Sequence, residues 1–181
     1  MRIYVIRHGE SETNQRGCYT GWMQVNLTEK GYEDAKSIRP LLQNVTFDRI
    51  YTSDLIRAKQ TAETAIPGCT YEESPLLREY GMGTLEGQPA ANVTVKNRDF
   101  TPFGGENLEL VRARVQKFME EVTKTDAKNV AVFTHAGWMR TVASIILQTE
   151  ITKNVLHCGN CAVAILEVAN EKWQIHSWIN R

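Results

Sequence analysis

Two apolar runs in this chain end in the same chemistry. Ile3, Tyr4, Val5 and Ile6 lead straight into Arg7, His8 and Gly9. Val130, Ala131, Val132 and Phe133 lead through Thr134 into His135, Ala136 and Gly137. A continuous apolar run suits a strand buried on both faces, as in a parallel sheet. In such sheets ligands bind beyond the C-terminal ends of the strands. If the two strands are adjacent and parallel, His8 and His135 reach the same sheet edge. Arg7 then supplies a fixed cation for a phosphate or carboxylate. His8 supplies a nucleophile or a base, and Gly9 permits a sharp turn or a close approach to an anion. The first stretch alone also fits a strand end with a salt-bridging arginine and a surface histidine; the repetition of the pattern argues for a site.

Size and charge narrow the class. A chain of 181 residues suits one domain, 1–181, with a full core. The 21 Lys and Arg residues balance the 21 Asp and Glu residues, so nothing global points to nucleic acid or an anionic membrane as partner. No apolar run has the length of a membrane span. Met1 leads at once into the first strand pattern without a leader signature, so the expected location is the cytoplasm. Cys158 and Cys161 have a Cys-x-x-Cys spacing, but no second pair accompanies them. Reduced thiols of a cytosolic protein are the better reading than zinc or redox chemistry.

The remaining elements follow from pattern. Residues 11–26 are polar and turn-rich, as one wall of a pocket would be. Thr28 is placed to cap a helix with Ala35, Ile38, Leu41 and Leu42 on its apolar side. Residues 47–52 read as a strand. A helix from Asp54 to about Ala65 follows, capped by Thr52 or Ser53 and stopped by Pro67–Gly68. Arg57 opposes the dipole of that helix, which makes sense if it and the helix amides face one anion; a solvated arginine is the alternative. Residues 69–73 suggest an edge strand. Residues 76–87 are too glycine-rich for a regular element, and residues 90–105 lack periodicity. A helix from Leu108 buries Val111, Val115, Phe118, Met119 and Val122. After the second His–Gly strand, a helix carries Met139, Val142, Ala143, Ile146 and Leu147 inward. Strands at 162–168 and 173–178, with a turn at Asn170–Glu171, close the chain.

Assembled, these stretches resemble the histidine phosphatase superfamily, in the branch of the cofactor-dependent phosphoglycerate mutases and their phosphatase relatives. Arg7, His8, Gly9 and Glu10, with Asn14 following, match its opening motif. Gly21, Trp22, Leu27, Thr28, Gly31 and Ala35 match the next block. Ser53, Asp54, Leu55, Arg57, Ala58, Gln60 and Thr61 match a specific helix motif. Leu77, Arg78, Glu79, Gly83, Glu86 and Gly87 match an acid-bearing loop, and Gly105, Glu106, His135, Gly137 and Asn160 complete the order. Gln24, Asn26, Asp34, Gly81 and Leu85 depart from residues common in relatives, which touches the substrate pocket rather than the chemistry.

The resemblance implies an α/β fold: a three-layer α/β/α sandwich with a mainly parallel central sheet. It implies His8 as the nucleophile of a phosphohistidine mechanism. Arg7, Arg57 and His135 surround the phosphoryl oxygens, Asn14, Thr20 and Gly21 complete the cradle, and Glu79 is the acid and base. Trp22, Arg78, Tyr80, Glu106 and Gly137 are further substrate-side candidates. No metal and no cofactor is needed in this scheme, and the glycine loops lack the Lys–Ser or Lys–Thr of a nucleotide cradle. The expected activity is a metal-independent phosphomonoester hydrolase acting on a small phosphorylated metabolite: a sugar phosphate, a phosphoglycerate or α-ribazole phosphate. The segment 88–104 is short and offers only Lys96 and Arg98, against the longer basic insertion of the mutases. A cofactor-dependent phosphoglycerate mutase and a non-catalytic phosphate sensor are the alternatives. The expected partner is a small phosphate ester, with no nucleic acid and no membrane, for a monomer or homodimer.

Overall fold

The computed structural model describes residues 1–170 and 172–180. In chain order the elements are β1 (Arg2–Arg7), α1 (Glu12–Gln15), α2 (Glu29–Ser37), α3 (Arg39–Leu42), β2 (Arg49–Thr52), α4 (Ile56–Ala65), β3 (Glu72–Glu73), α5 (Leu108–Thr123), β4 (Asn129–Thr134), α6 (Ala136–Leu147), β5 (Val163–Ala169) and β6 (Lys172–Ile179). Short 3₁₀ turns punctuate residues 75–103. The six strands form one sheet in the order β3-β2-β4-β1-β5-β6. β1 to β4 are mutually parallel, whereas β5 runs antiparallel to both β1 and β6. Parallel strands need crossover connections, and the helices supply them.

Successive side chains of the central strands point to opposite faces, and both faces are covered. Ile3, Val5, Val130 and Val132 pack with Val111, Val115, Phe118, Met139 and Val142 of α5 and α6. Tyr4, Ile6, Ala131 and Phe133 pack with Ala35 of α2 and with Ala62 and Ala65 of α4. This is why the runs at 3–6 and 130–133 carry no polar alternation: neither face meets water. The chain is thus a mixed α/β fold with a six-stranded, mostly parallel sheet between two helical layers.

Several local expectations shift. The polar stretch after β1 contains the one-turn α1, closed by a capping box in which Ser11 and Asn14 bond each other's backbone. The helix expected through Leu42 breaks at Ile38, just before Pro40, because proline supplies no N–H to continue the ladder. α4 begins at Ile56, later than expected, and Leu55 at its N-cap offers no side-chain bond. Asp54 does not sit on the helix N-terminus; it pairs with Arg78. Leu147, expected inside, is 52% exposed in the last turn of α6, where Gln148 takes a left-handed conformation and ends the helix. Of the expected turn at Asn170–Glu171, Asn170 is left-handed, with φ of 50°, and Glu171 lies outside the described residues. Among the described residues, no helix is long and apolar enough to cross a membrane.

Candidate active site

The β1–β4 register pairs Arg7 with Thr134, so His8 and His135 leave the sheet side by side. Their ring centroids are 5.1 Å apart. The backbone N–H of His8 donates to the carbonyl of Thr134 at 3.0 Å, which fixes the turn. Nδ1 of His8 lies 2.6 Å from the carbonyl oxygen of Gly9. A carbonyl only accepts, so Nδ1 carries the proton and Nε2 keeps its lone pair. That lone pair faces Nε–H of Arg57, 3.3 Å away. Burial, then the charges of Arg57 and Arg7, push the His8 pKa well below 6.5. Burial and Arg57 push His135 down in the same way. Both imidazoles are therefore neutral at neutral pH.

Arg57 stands in the first turn of α4 and is fully buried. Its Nη1 and Nη2 each donate at 2.9 Å, to the carbonyls of Met23 and Gly21. The turn that begins at Gly21 is thereby tied to the neighbour of His8. Burial lowers the Arg57 pKa to about 10, opposed by the charge of Glu79, so it remains cationic at neutral pH. Arg7 donates from Nη1 to the carbonyl of Cys158 at 2.6 Å. Its Nε has no partner, nor does either ring nitrogen of His135, although all three are buried. Unmet buried polar atoms are rare and costly. Here they sit in one cluster with two cations, an arrangement that a phosphoryl group would satisfy. Asn160 Nδ2 bridges the His8 carbonyl and Asn14 Oδ1, each at 3.3 Å, and so holds Asn14 beside the cluster.

Glu79 reaches the cluster from the loop that follows β3. Its Oε1 accepts from the Tyr80 N–H at 2.9 Å and its Oε2 from the Gly137 N–H at 3.0 Å. A Cβ on residue 137 would collide with Glu79 and the Tyr80 ring, so glycine is required there for space. The charge of Glu79 raises the pKa of both Arg7 and Arg57, which marks its proximity to them.

One residue that holds this loop is not among those the sequence points to. Arg114 of α5 donates from Nη1 to the carbonyls of Leu76 at 3.1 Å and Arg78 at 2.6 Å. From Nη2 it donates to the Glu79 carbonyl at 2.9 Å, and it grips Glu106 through Nε and Nη2, both at 3.0 Å. Glu106 in turn accepts from the Gly81 N–H at 2.8 Å. The available signal was one of two arginines, Arg112 and Arg114, between Val111 and Val115, of which Arg114 borders the apolar helix face.

The other candidates divide. Thr20 is buried, with its hydroxyl 2.7 Å from that of Thr13. Trp22 is 40% exposed and donates from its indole N–H to the Glu79 carbonyl at 2.7 Å; the Arg78 guanidinium lies over its ring at 4.9 Å. Arg78 also pairs with Asp54, Nε to Oδ1 at 2.8 Å. The charges of Arg78 and Glu106 are thus met by protein partners. Tyr80 and Gly137, by contrast, line a cavity of about 400 Å³ beside Glu79, together with Tyr19, Phe100, Arg98 and Arg140. His8 and His135 are not part of this cavity's wall.

Cys18, Cys69 and Cys158 are free thiols. Cys158 and Cys161 are buried, and burial pushes the Cys158 thiol up to about 11, keeping it protonated. Among the described residues, no group of three or more His, Cys, Asp or Glu side chains is placed to hold a metal ion. The visible role of Cys158 is its carbonyl, which fixes Arg7.

The family model of the histidine phosphatase superfamily, branch 1, matches residues 3–181. The chain is 30% identical over 166 residues to an adenosylcobalamin/alpha-ribazole phosphatase of Salmonella typhimurium, covering 84% of this chain and 80% of that one. It is 30% identical over 193 residues to a metal-independent phosphoserine phosphatase of Arabidopsis thaliana, covering 97% and 80%. The crystal structure of a phosphoglycerate mutase from Thermus thermophilus superposes with a TM-score of 0.77 at 26% identity, over 100% of this chain and 99% of that one.

Proposed function

This chain belongs to the histidine phosphatase superfamily and is a phosphatase, and from that premise we propose that it hydrolyses a small phosphomonoester through a phosphohistidine on His8. The observation that carries the reading is the state of His8: Nδ1 bonded to Gly9, Nε2 bearing a lone pair, and two arginines beside it. A neutral, oriented imidazole is a competent nucleophile.

In the first step the Nε2 lone pair attacks phosphorus and the ester P–O bond breaks. The leaving oxygen takes a proton from Glu79. Arg7 and Arg57 stabilise the charge spread over the equatorial oxygens, and His135 donates its ring N–H to one of them. In the second step Glu79, now ionised, takes a proton from water as its oxygen bonds to phosphorus. The N–P bond breaks, returning the pair to His8 and releasing phosphate. Phosphoryl charge is handled by the protein's own side chains, so the scheme requires no metal ion and no organic cofactor.

Hydrolysis is favoured over mutase chemistry by the thin charge of residues 88–104, where Lys96 and Arg98 are the basic residues. A tightly retained bisphosphate needs more. A cytoplasmic location suits the free thiols of Cys18, Cys69 and Cys158. The resemblance to an α-ribazole phosphatase and to a phosphoserine phosphatase makes both of their named substrates candidates here. The purified protein should release phosphate from an aryl phosphate in the presence of EDTA. Interconversion of 3- and 2-phosphoglycerate faster than phosphate release, stimulated by the 2,3-bisphosphate, would move the assignment to mutase. Binding of phosphate esters without any turnover would move it to a sensor.

A further inference from the structure

The last strand reaches back to the phosphoryl cluster through a single peptide group. β5 and β6 pair with Val163 opposite Ile179, so Asn180 leaves the sheet alongside the chain that enters β5. That entering chain is a tight turn. The Ala162 N–H donates to the Gly159 carbonyl at 3.0 Å, and Cys161 within it is left-handed, with φ of 54°. The side-chain amide of Asn180 holds the start of this turn with both ends. Its Oδ1 accepts from the Gly159 N–H at 3.0 Å, and its Nδ2 donates to the His157 carbonyl at 3.1 Å. The two contacts bracket Cys158 and use the one acceptor end and the one donor end that an amide has.

The Cys158 carbonyl and the Gly159 N–H belong to the same rigid peptide plane. No peptide bond of the described residues is cis, so these two groups point in opposite directions. Asn180 holds one end of the plane, and the other end accepts from Nη1 of Arg7 at 2.6 Å. A charge-assisted bond of that length is directional, so a rotation of the plane carries the guanidinium with it. The bonds also form a chain, Asn180 to peptide to Arg7, in which each polarises the next. Among the described residues the Cys158 carbonyl is the hydrogen-bond partner of the Arg7 guanidinium, whose Nε is buried and unmatched. The same turn also reaches His8: the Cys161 N–H donates to the His8 carbonyl at 3.2 Å.

We infer that Asn180 is a positioning residue of the phosphoryl site, acting through the Cys158–Gly159 peptide to set the guanidinium of Arg7. The inference rests on the phosphatase reading, which places Arg7 on the phosphoryl oxygens. Asn180 acts through Arg7 and needs no contact with substrate. Its side chain is exposed, so replacing it leaves the core intact.

The test is a comparison of kcat/KM for an aryl phosphate across a small set of variants, with thermal melts reporting folding separately. Asn180→Ala removes both contacts and should lower kcat/KM by about tenfold, since misplacing a positioned group by 1 Å costs up to about 10²-fold. Asn180→Asp keeps an acceptor for the Gly159 N–H and should retain most of the parent's kcat/KM. Trp178→Phe removes the other donor to the His157 carbonyl, the indole N–H at 3.1 Å. It leaves the Gly159 bond in place and should stay near the parent. In an Arg7→Met background Asn180→Ala should cause no further loss, because the group it acts through is gone. Losses that multiply in this cycle overturn the inference, as does a parent-like kcat/KM in Asn180→Ala or an equal loss in Trp178→Phe. Absence of phosphate release by the parent protein speaks against the phosphatase reading instead. The same cycle is then read in calorimetric binding of orthovanadate, where non-additivity supports the inference and additivity overturns it.

Discussion

Nε of Arg57 lies 3.3 Å from Nε2 of His8, while the other two guanidinium nitrogens hold the carbonyls of Gly21 and Met23. One side chain therefore orients the neighbourhood of His8 and fixes the loop beside it. Arg57→Lys keeps a charge but loses the planar fork. kcat/KM with an aryl phosphate should fall by about 10²–10³, the scale of losing an oriented transition-state donor. A loss below about tenfold would show that charge alone suffices.

Glu79 should reveal itself through the leaving group. An aryl oxide departs without help, whereas an alkoxide needs a proton. Glu79→Gln should slow release from an alkyl phosphate by about 10²–10⁴, the range of general acid catalysis. Release from an activated aryl phosphate should fall much less in single-turnover experiments that isolate the first step. Equal slowing of both would remove Glu79 from the acid role.

Arg114 and Glu106 form a largely buried pair that also gathers the carbonyls of Leu76, Arg78 and Glu79. Removing one partner strands the other charge. Arg114→Met should cost about 3–5 kcal/mol of stability in urea denaturation. Adding Glu106→Gln should recover part of that loss, because the stranded carboxylate is gone. In whatever fraction stays folded, kcat should remain low, since the Glu79 loop has lost its clamp.

The histidine pair sets a pH dependence of stability. His8 and His135 both titrate well below 6.5 in the folded chain. As pH falls through 6.5 the unfolded state takes up these two protons and the folded state does not. Stability therefore falls with decreasing pH from that point down to the folded pKa values. Urea titrations across this window should show the slope, and His135→Gln should flatten it by about one proton. A slope unchanged in the variant would mean that His135 is already protonated in the fold.

The sheet and its histidine-bearing edge were legible because both rest on strong local signals. Apolar runs without alternation marked β1 and β4 as doubly covered strands, and the repeated His–Gly endings brought His8 and His135 together. Arg57 was legible as a cation placed against its helix dipole. What stayed hidden depends on contacts far apart in sequence. Asp54 looked like an acid opening a helix but answers Arg78, 24 residues away. Trp22 and Glu106 looked like pocket walls, yet they brace the Glu79 loop. Nothing in the apolar spacing of residues 108–123 set Arg114 apart. The breaks of α2 at Ile38 and of α6 at Gln148 came from backbone limits that apolar spacing does not record.

The most direct test of the central claim is a rapid-quench experiment with an activated aryl phosphate, followed by mass spectrometry under conditions that preserve acid-labile phosphoramidates. One phosphate should appear within the first turnover, on His8, and should be absent from a folded His8→Ala variant. Phosphate on another residue, or full turnover by His8→Ala, would contradict the assignment of His8 as nucleophile.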